Sequence, residues 1–276
     1  MKAPAPVMVL ELFPEVRAEL LALLSSLTAE EWARPTVCAG WSVKDIAQHL
    51  LAGDIGILSR RRDAFTSPGP SIESWNDLVG LINRLNETWT AAARRISQRV
   101  VCDLLAWAGP QVEEYFASLD PHAMGVPVDW ASAEPAPVWL DLAREYTERW
   151  HHQQQVRDAV GRPGLKQRRF FAPVLEAFVH ALPRTYRDVP AADGTTVQLT
   201  ITGEAGGEWF LVREGLVWNL YVEGAPPPAA RVTLDADDAW RLFTKGLRTE
   251  EARARAVLAG DPRLAGKMLE TIAILG

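Results

Sequence analysis

Arg144-Glu145-Tyr146-Thr147-Glu148-Arg149-Trp150-His151-His152 is the stretch whose reading decides the fold. In a helix, residues four apart stack on one face, so Glu148 and His152 aim a carboxylate and an imidazole at one point. Two donors on one turn make half of a metal site, and a third must come from another element. His49 is the candidate, because it falls on the apolar side of a second amphipathic helix. The pattern therefore points to a His/Glu/His site. Spacing alone leaves competitors open: Glu145 shares the face of His152, and His151 lies three residues from Glu148. A Glu and His four apart are also commonly an exposed pair worth about 0.3 kcal/mol. A lone His on an apolar stripe is commonly a satisfied core residue.

Working outward, residues 138–160 read as one long helix closed by Gly161-Arg162-Pro163. Leu142, Tyr146, Trp150 and Val156 form its packing ridge, with Glu145, Glu148 and His152 on the adjoining stripe. Before it, residues 121–137 are a loop with four prolines, long enough to cross a bundle end. Residues 101–119 are helical with an expected break at Gly109-Pro110. A helical region over 72–99 carries an apolar face of Trp75, Leu78, Leu81, Ile82, Leu85 and Trp89. A Ser/Pro/Gly loop spans 66–71, and Arg60-Arg61-Arg62 marks a solvated helix end. Ser42, with Asp45 three residues on, opens the His49 helix as a reciprocal cap, and Ile46, His49, Leu50, Gly53 and Ile57 share its stripe. Leu27-Thr28-Ala29-Glu30-Glu31-Trp32 repeats the capping pattern, after a first helix over 14–27.

The second half has a different texture. Helix over 170–182, where His180 reads as structural, gives way to a linker over 183–193. Residues 196–202 alternate with period two, followed by strands over 208–213 and 216–222 around a tight turn at Glu214-Gly215, and a fourth strand over 230–234. Residues 236–244 and 250–258 are expected helices, and Gly260-Asp261-Pro262 leads into a last helix ending at Leu275. The expected fold class is α+β in two domains, 1–185 helical and 186–276 a small α/β unit, as a length of 276 residues suggests.

Composition excludes some functions. With 29 Lys+Arg against 35 Asp+Glu, a net charge of -6 and no basic block, nothing here would neutralise a phosphate backbone, so no nucleic-acid partner is expected. No run reaches the roughly 20 apolar residues of a membrane span. The two cysteines, Cys38 and Cys102, form no metal-type pair, and a reduced cytoplasmic setting is expected.

Two separated segments carry a resemblance. Residues 27–36 with Cys38-Ala39-Gly40-Trp41-Ser42-Val43-Lys44-Asp45-Ile46-Ala47-Gln48-His49-Leu50, and then Glu148-Arg149-Trp150-His151-His152 running on to Asp158-Ala159-Val160-Gly161-Arg162-Pro163, resemble the mycothiol-dependent maleylpyruvate isomerase family of DinB-like bundles. The resemblance covers roughly residues 10–185. It implies a DinB-like four-helix bundle whose divalent metal, zinc first with nickel or iron as alternatives, is held by two His and one Glu. Carried onto this chain the ligands are His49, Glu148 and His152, which prefers Glu148 over Glu145 and His152 over His151. Residues 230–242 and 257–261 resemble a sterol-carrier-type domain, as appended to bundles of this family.

Three protein ligands leave open positions, the mark of a catalytic site. The resemblance implies that mycothiol or a similar thiol uses one. A free thiol is only a few per cent thiolate at pH 7, and coordination deprotonates it, a gain of roughly thirtyfold in nucleophile before its lowered intrinsic reactivity is deducted. The expected function is a metal- and thiol-dependent transferase or isomerase of a small electrophile, in a monomer or homodimer. The alternatives are a metal-dependent hydrolase on the same bundle and a non-catalytic small-molecule-binding or stress-response protein. Cys38 stands in the loop before the His49 helix and reads as a small filler beside Trp41. Arg149 and the Arg60-Arg61-Arg62 run read as surface or snorkelling side chains before any substrate role.

Overall fold

A computed structural model describes residues 1–66 and 69–274. The expected 66–71 loop and the expected helix end at Leu275 fall partly outside the described residues. The chain forms two units discontinuous in sequence: a helical one from 9–120 and 148–164, and a sheet-containing one from 1–8, 121–147 and 165–274. Residues 121–147 and 165–185 thus group with the sheet.

In the helical unit, Pro14 in the first turn starts α1 (Phe13–Ser25), and α2 (Ala29–Trp32) opens with the reciprocal Thr28–Glu31 cap. The Ser42–Asp45 cap starts α3 (Val43–Gly56), which passes into a π-helical turn at Ile57–Arg62. Val43, Ile46, Ala47, Leu50 and Leu51 of α3 are buried, each large aliphatic contributing roughly 1.5–3 kcal/mol. Gly53, expected on that stripe, is exposed, and His49 lies at the stripe's edge rather than its centre. α4 (Trp75–Ala93) ends earlier than the expected 99 because Ser97 caps a new helix, α5 (Gln98–Ala117). The expected apolar face of α4 is only partly covered: Trp75 is 40% and Leu85 51% exposed. A polar tie joins α4 to α3, with Gln48 Nε2 donating to Ala93 O and Trp89 Nε1 to Gln48 O.

The expected break at Gly109-Pro110 does not occur. α5 runs through Pro110, its Ala108, Gly109 and Val112 buried. Gly109 permits this packing: a Cβ there would stand 2.2 Å from Arg17 Cδ. Arg17 in turn grips Glu113 with two bonds of 2.7 and 3.0 Å. α6 spans Val138–Val160 as expected, ending at Gly161 with φ +69°.

In the other unit, the proline-bearing segment is no plain loop but a ladder of β1 (Met124–Pro127) and β2 (Pro135–Pro137). α7 (Arg168–Phe178) continues through a 3-10 turn into α8 (Leu182–Tyr186), so the expected linker begins as helix; Pro183 sits in the first turn, where its missing N–H costs nothing. Strands β3 (Thr196–Thr202), β4 (Gly207–Glu214), β5 (Val217–Tyr221), β6 (Ala230–Asp235) and β7 (Val257–Gly260) form one sheet in the order β5-β4-β3-β6-β7. β3 and β6 are parallel and the other pairs antiparallel. The β4–β5 hairpin turns on Gly215-Leu216, one residue later than expected, with Gly215 at φ +58°. α9 (Ala236–Phe243) and α10 (Thr249–Arg255) precede β7, which replaces the end of an expected helix, and α11 (Pro262–Met268) stops well before 275. Val197, Leu199, Trp209, Leu211, Trp218 and Val232 are buried on the sheet. The fold is α+β, a helical bundle followed by a sheet domain.

Candidate metal site

The cap that starts α3 also aims it. Asp45 accepts from Ser42 N at 2.9 Å and from Arg94 Nε at 2.9 Å, which fixes the first turn of α3, one turn before His49. Burial is the largest influence on the Asp45 carboxyl and raises it, but the Arg94 and Ser42 contacts win and hold it low. The Trp41 ring packs on the His49 imidazole, centroids 5.1 Å apart.

α6 brings the other two donors. Glu148 Oε1 lies 3.0 Å from His49 Nε2 and 3.1 Å from His152 Nε2. One ligand atom from each residue falls within 4.8 Å of the others. The two imidazoles meet edge to face at 4.6 Å. The His152 side chain is 9% and that of His49 15% exposed, while Glu148 keeps 36%, so Glu148 is the most accessible of the three side chains. Burial is again the largest influence on the Glu148 carboxyl and raises it. The charge and hydrogen bond of His152, the bond from His49 and the charge of His151 together outweigh it, holding the group well below the usual carboxylate range.

The competitors from the sequence go elsewhere. Glu145 accepts from Arg144 at 2.7 Å, next to Asp141 on the same guanidinium. His151 is 2% exposed and stacks on His152 at 4.1 Å, outside the three-donor cluster. Arg149 faces Asp54 at 2.6 Å and covers the Phe13 and Phe116 rings, an interior pair rather than a surface charge. A cavity of about 30 Å³, lined by Phe13, Leu50, Asp54 and Arg149 among others, adjoins that pair and is not lined by any of the three donors. In the Arg60-Arg61-Arg62 run, Arg62 pairs with Asp63.

Behind His152 stands Gln155, which went unread in the sequence, and against it Cys38, expected only as a small filler beside Trp41. His152 Nδ1 is 2.7 Å from Gln155 Oε1, and the Cys38 thiol donates to the same oxygen at 3.3 Å. Burial first, and then the Glu148 charge, push the Cys38 thiol up, so it stays protonated. The available signal was Gln153-Gln154-Gln155, three consecutive amides on a helix that must bury them; all three are buried.

The family described as the mycothiol maleylpyruvate isomerase N-terminal domain matches residues 13–157. No curated protein matches the chain. Two crystal structures of the mycothiol-dependent maleylpyruvate isomerase are similar in fold. One shares 12% identity over 84% of this chain and 86% of that one, at a TM-score of 0.51. The other, a His-to-Ala mutant, shares 11% identity over the same 84% and 86%, at 0.50.

Proposed function

The chain belongs to the family of the mycothiol maleylpyruvate isomerase N-terminal domain, and from that premise we propose a divalent-metal-dependent enzyme that uses a low-molecular-weight thiol of the mycothiol type to isomerise, or transfer to, a small electrophile. The observation that carries this is the convergence of His49 Nε2, Glu148 Oε1 and His152 Nε2 within 4.8 Å. The donor set fits such an ion: two imidazoles and one carboxylate suit zinc, with nickel and iron as alternatives, and three protein ligands leave a place for a reactant. A single carboxylate oxygen faces two ring nitrogens at 3.0 and 3.1 Å, so a cation among the three atoms satisfies all of them at once.

His49 and His152 would hold the ion through Nε2, and Glu148 would offset one of its charges. When bound, the ion supplies a Lewis acid that makes a coordinated thiol a thiolate at neutral pH. Trp41 packs on the His49 ring, and thiol and electrophile would enter beside Glu148, the most accessible of the three side chains. Addition across an activated double bond, or displacement of a leaving group, is the reaction class; proximity of the two reactants supplies much of the rate. Residues 186–276 would form a sterol-carrier-like domain within the same chain.

Zinc-loaded protein given maleylpyruvate, with and without mycothiol, tests the reading. Turnover that needs both metal and thiol supports it. Turnover of an ester or amide without thiol would replace it with the metal-dependent hydrolase. A tightly bound apolar ligand with no thiol-dependent turnover would replace it with a binding protein.

A further inference from the structure

Neutral His152 can offer the Nε2 lone pair to a cation only if its ring proton sits on Nδ1. That nitrogen lies 2.7 Å from Gln155 Oε1, and a carbonyl oxygen can only accept. The contact therefore requires a proton on Nδ1. A Gln amide has a second orientation, which would set its NH₂ against Nδ1 and drive the proton to Nε2, the atom facing Glu148. Cys38 discriminates between the two. Its Sγ is 3.3 Å from the same Oε1, and a thiol donates to oxygen better than it accepts from an amide.

We propose that Gln155 is a positioning residue of the site, fixing the Nδ1 proton of His152, and that the Cys38 thiol sets its amide orientation. Three observations support this beyond the distances. Gln155 is 5% exposed, so little solvent competes for its oxygen. It stands three residues after His152 on the same helix, so the pair is held in register by α6 itself. With Nδ1 protonated, the lone pair of His152 Nε2 is turned toward Glu148 Oε1 at 3.1 Å. Two acceptors that close are held together only by a cation between them, a proton or a metal ion. Gln155 thus converts a local hydrogen bond into a demand for positive charge where the three donors meet. The consequence for metal affinity rests on the proposed metal site; the location of the proton does not.

Imidazole ¹H–¹⁵N correlation on the parent protein, with zinc titration against a chromophoric chelator on the parent, Gln155→Leu and Gln155→Glu, tests it. A hydrogen-bonded proton on His152 Nδ1 is expected in the parent. Gln155→Leu should lose about 10- to 100-fold in zinc affinity with unchanged circular dichroism, and Gln155→Glu, which restores an acceptor, should recover it. An unprotonated Nδ1 in the parent overturns the proposal, as does zinc binding by Gln155→Leu within about twofold of the parent. If Gln155→Leu does not fold, the parent spectrum still decides. A parent that binds no zinc removes the metal site, while the Nδ1 proton independently upholds or refutes the role of Gln155.

Discussion

At Glu148 one carboxylate oxygen faces two imidazole nitrogens, and the rest of the site follows from that contact. Glu148→Gln keeps the shape and removes the charge. It should weaken zinc binding by more than about 100-fold while the helices stay folded, as read by chelator competition and circular dichroism; parent-like affinity would exclude Glu148 as a ligand. Asp54 offers a contrasting residue. Its carboxylate lies 2.6 Å from a guanidinium that is itself largely buried. Asp54→Ala should therefore cost about 3 kcal/mol in urea unfolding without changing metal content. The cluster residues were legible only in part: helical spacing offered Glu148 and His152 and an apolar stripe offered His49, but Glu145 and His151 stayed open until the family resemblance chose among them. Gln155 was not legible, since its role depends on Cys38, 117 positions away. Nor was the Arg149–Asp54 pair, 95 positions apart, which no local pattern announces.

Among the elements, helix starts were the most readable because their signal is local. Ser42 and Asp45 cap each other within one turn. Ser42→Ala should cost about 1 kcal/mol of stability and, by loosening the start of the helix that carries His49, lower zinc affinity as well. Loss of stability with affinity intact would separate the cap from the site. Interruptions were less readable. Pro110 suggested a break, yet α5 continues because Gly109 and its neighbours pack against Arg17 of α1. β7 was hidden for the converse reason: Val257–Gly260 is short and becomes a strand only by pairing with β6, a partner about 27 residues earlier. α4 shows the same dependence on context, with a helical pattern that was visible and a partial covering of its apolar face that was not.

Across the whole molecule, the change from helical to alternating periodicity made the α+β class legible, while the discontinuity of the units was not. Residues 1–8 join the sheet-containing unit, where Lys2 bridges to Glu223, a pairing no sequence window contains. That unit also carries a pH-sensitive element. His180 packs edge to face on Trp139 with its Nε2 buried, and desolvation pushes its pKa from 6.5 down to about 4. The folded protein holds His180 neutral where the unfolded chain takes a proton, so stability is lost as pH falls through 6.5 and levels off near 4. The full effect is roughly 3 kcal/mol. His180→Phe should flatten the stability profile over that window; a profile as steep as the parent's would place the titration elsewhere.

The most direct measurement is elemental analysis of protein purified without chelator or affinity-tag nickel, run beside His152→Ala. About one equivalent of divalent metal in the parent, lost in the variant while its circular dichroism is unchanged, is the predicted result for the His49–Glu148–His152 site. No metal in the parent, even after incubation with zinc, nickel or iron, or an equivalent retained by the variant, would contradict it.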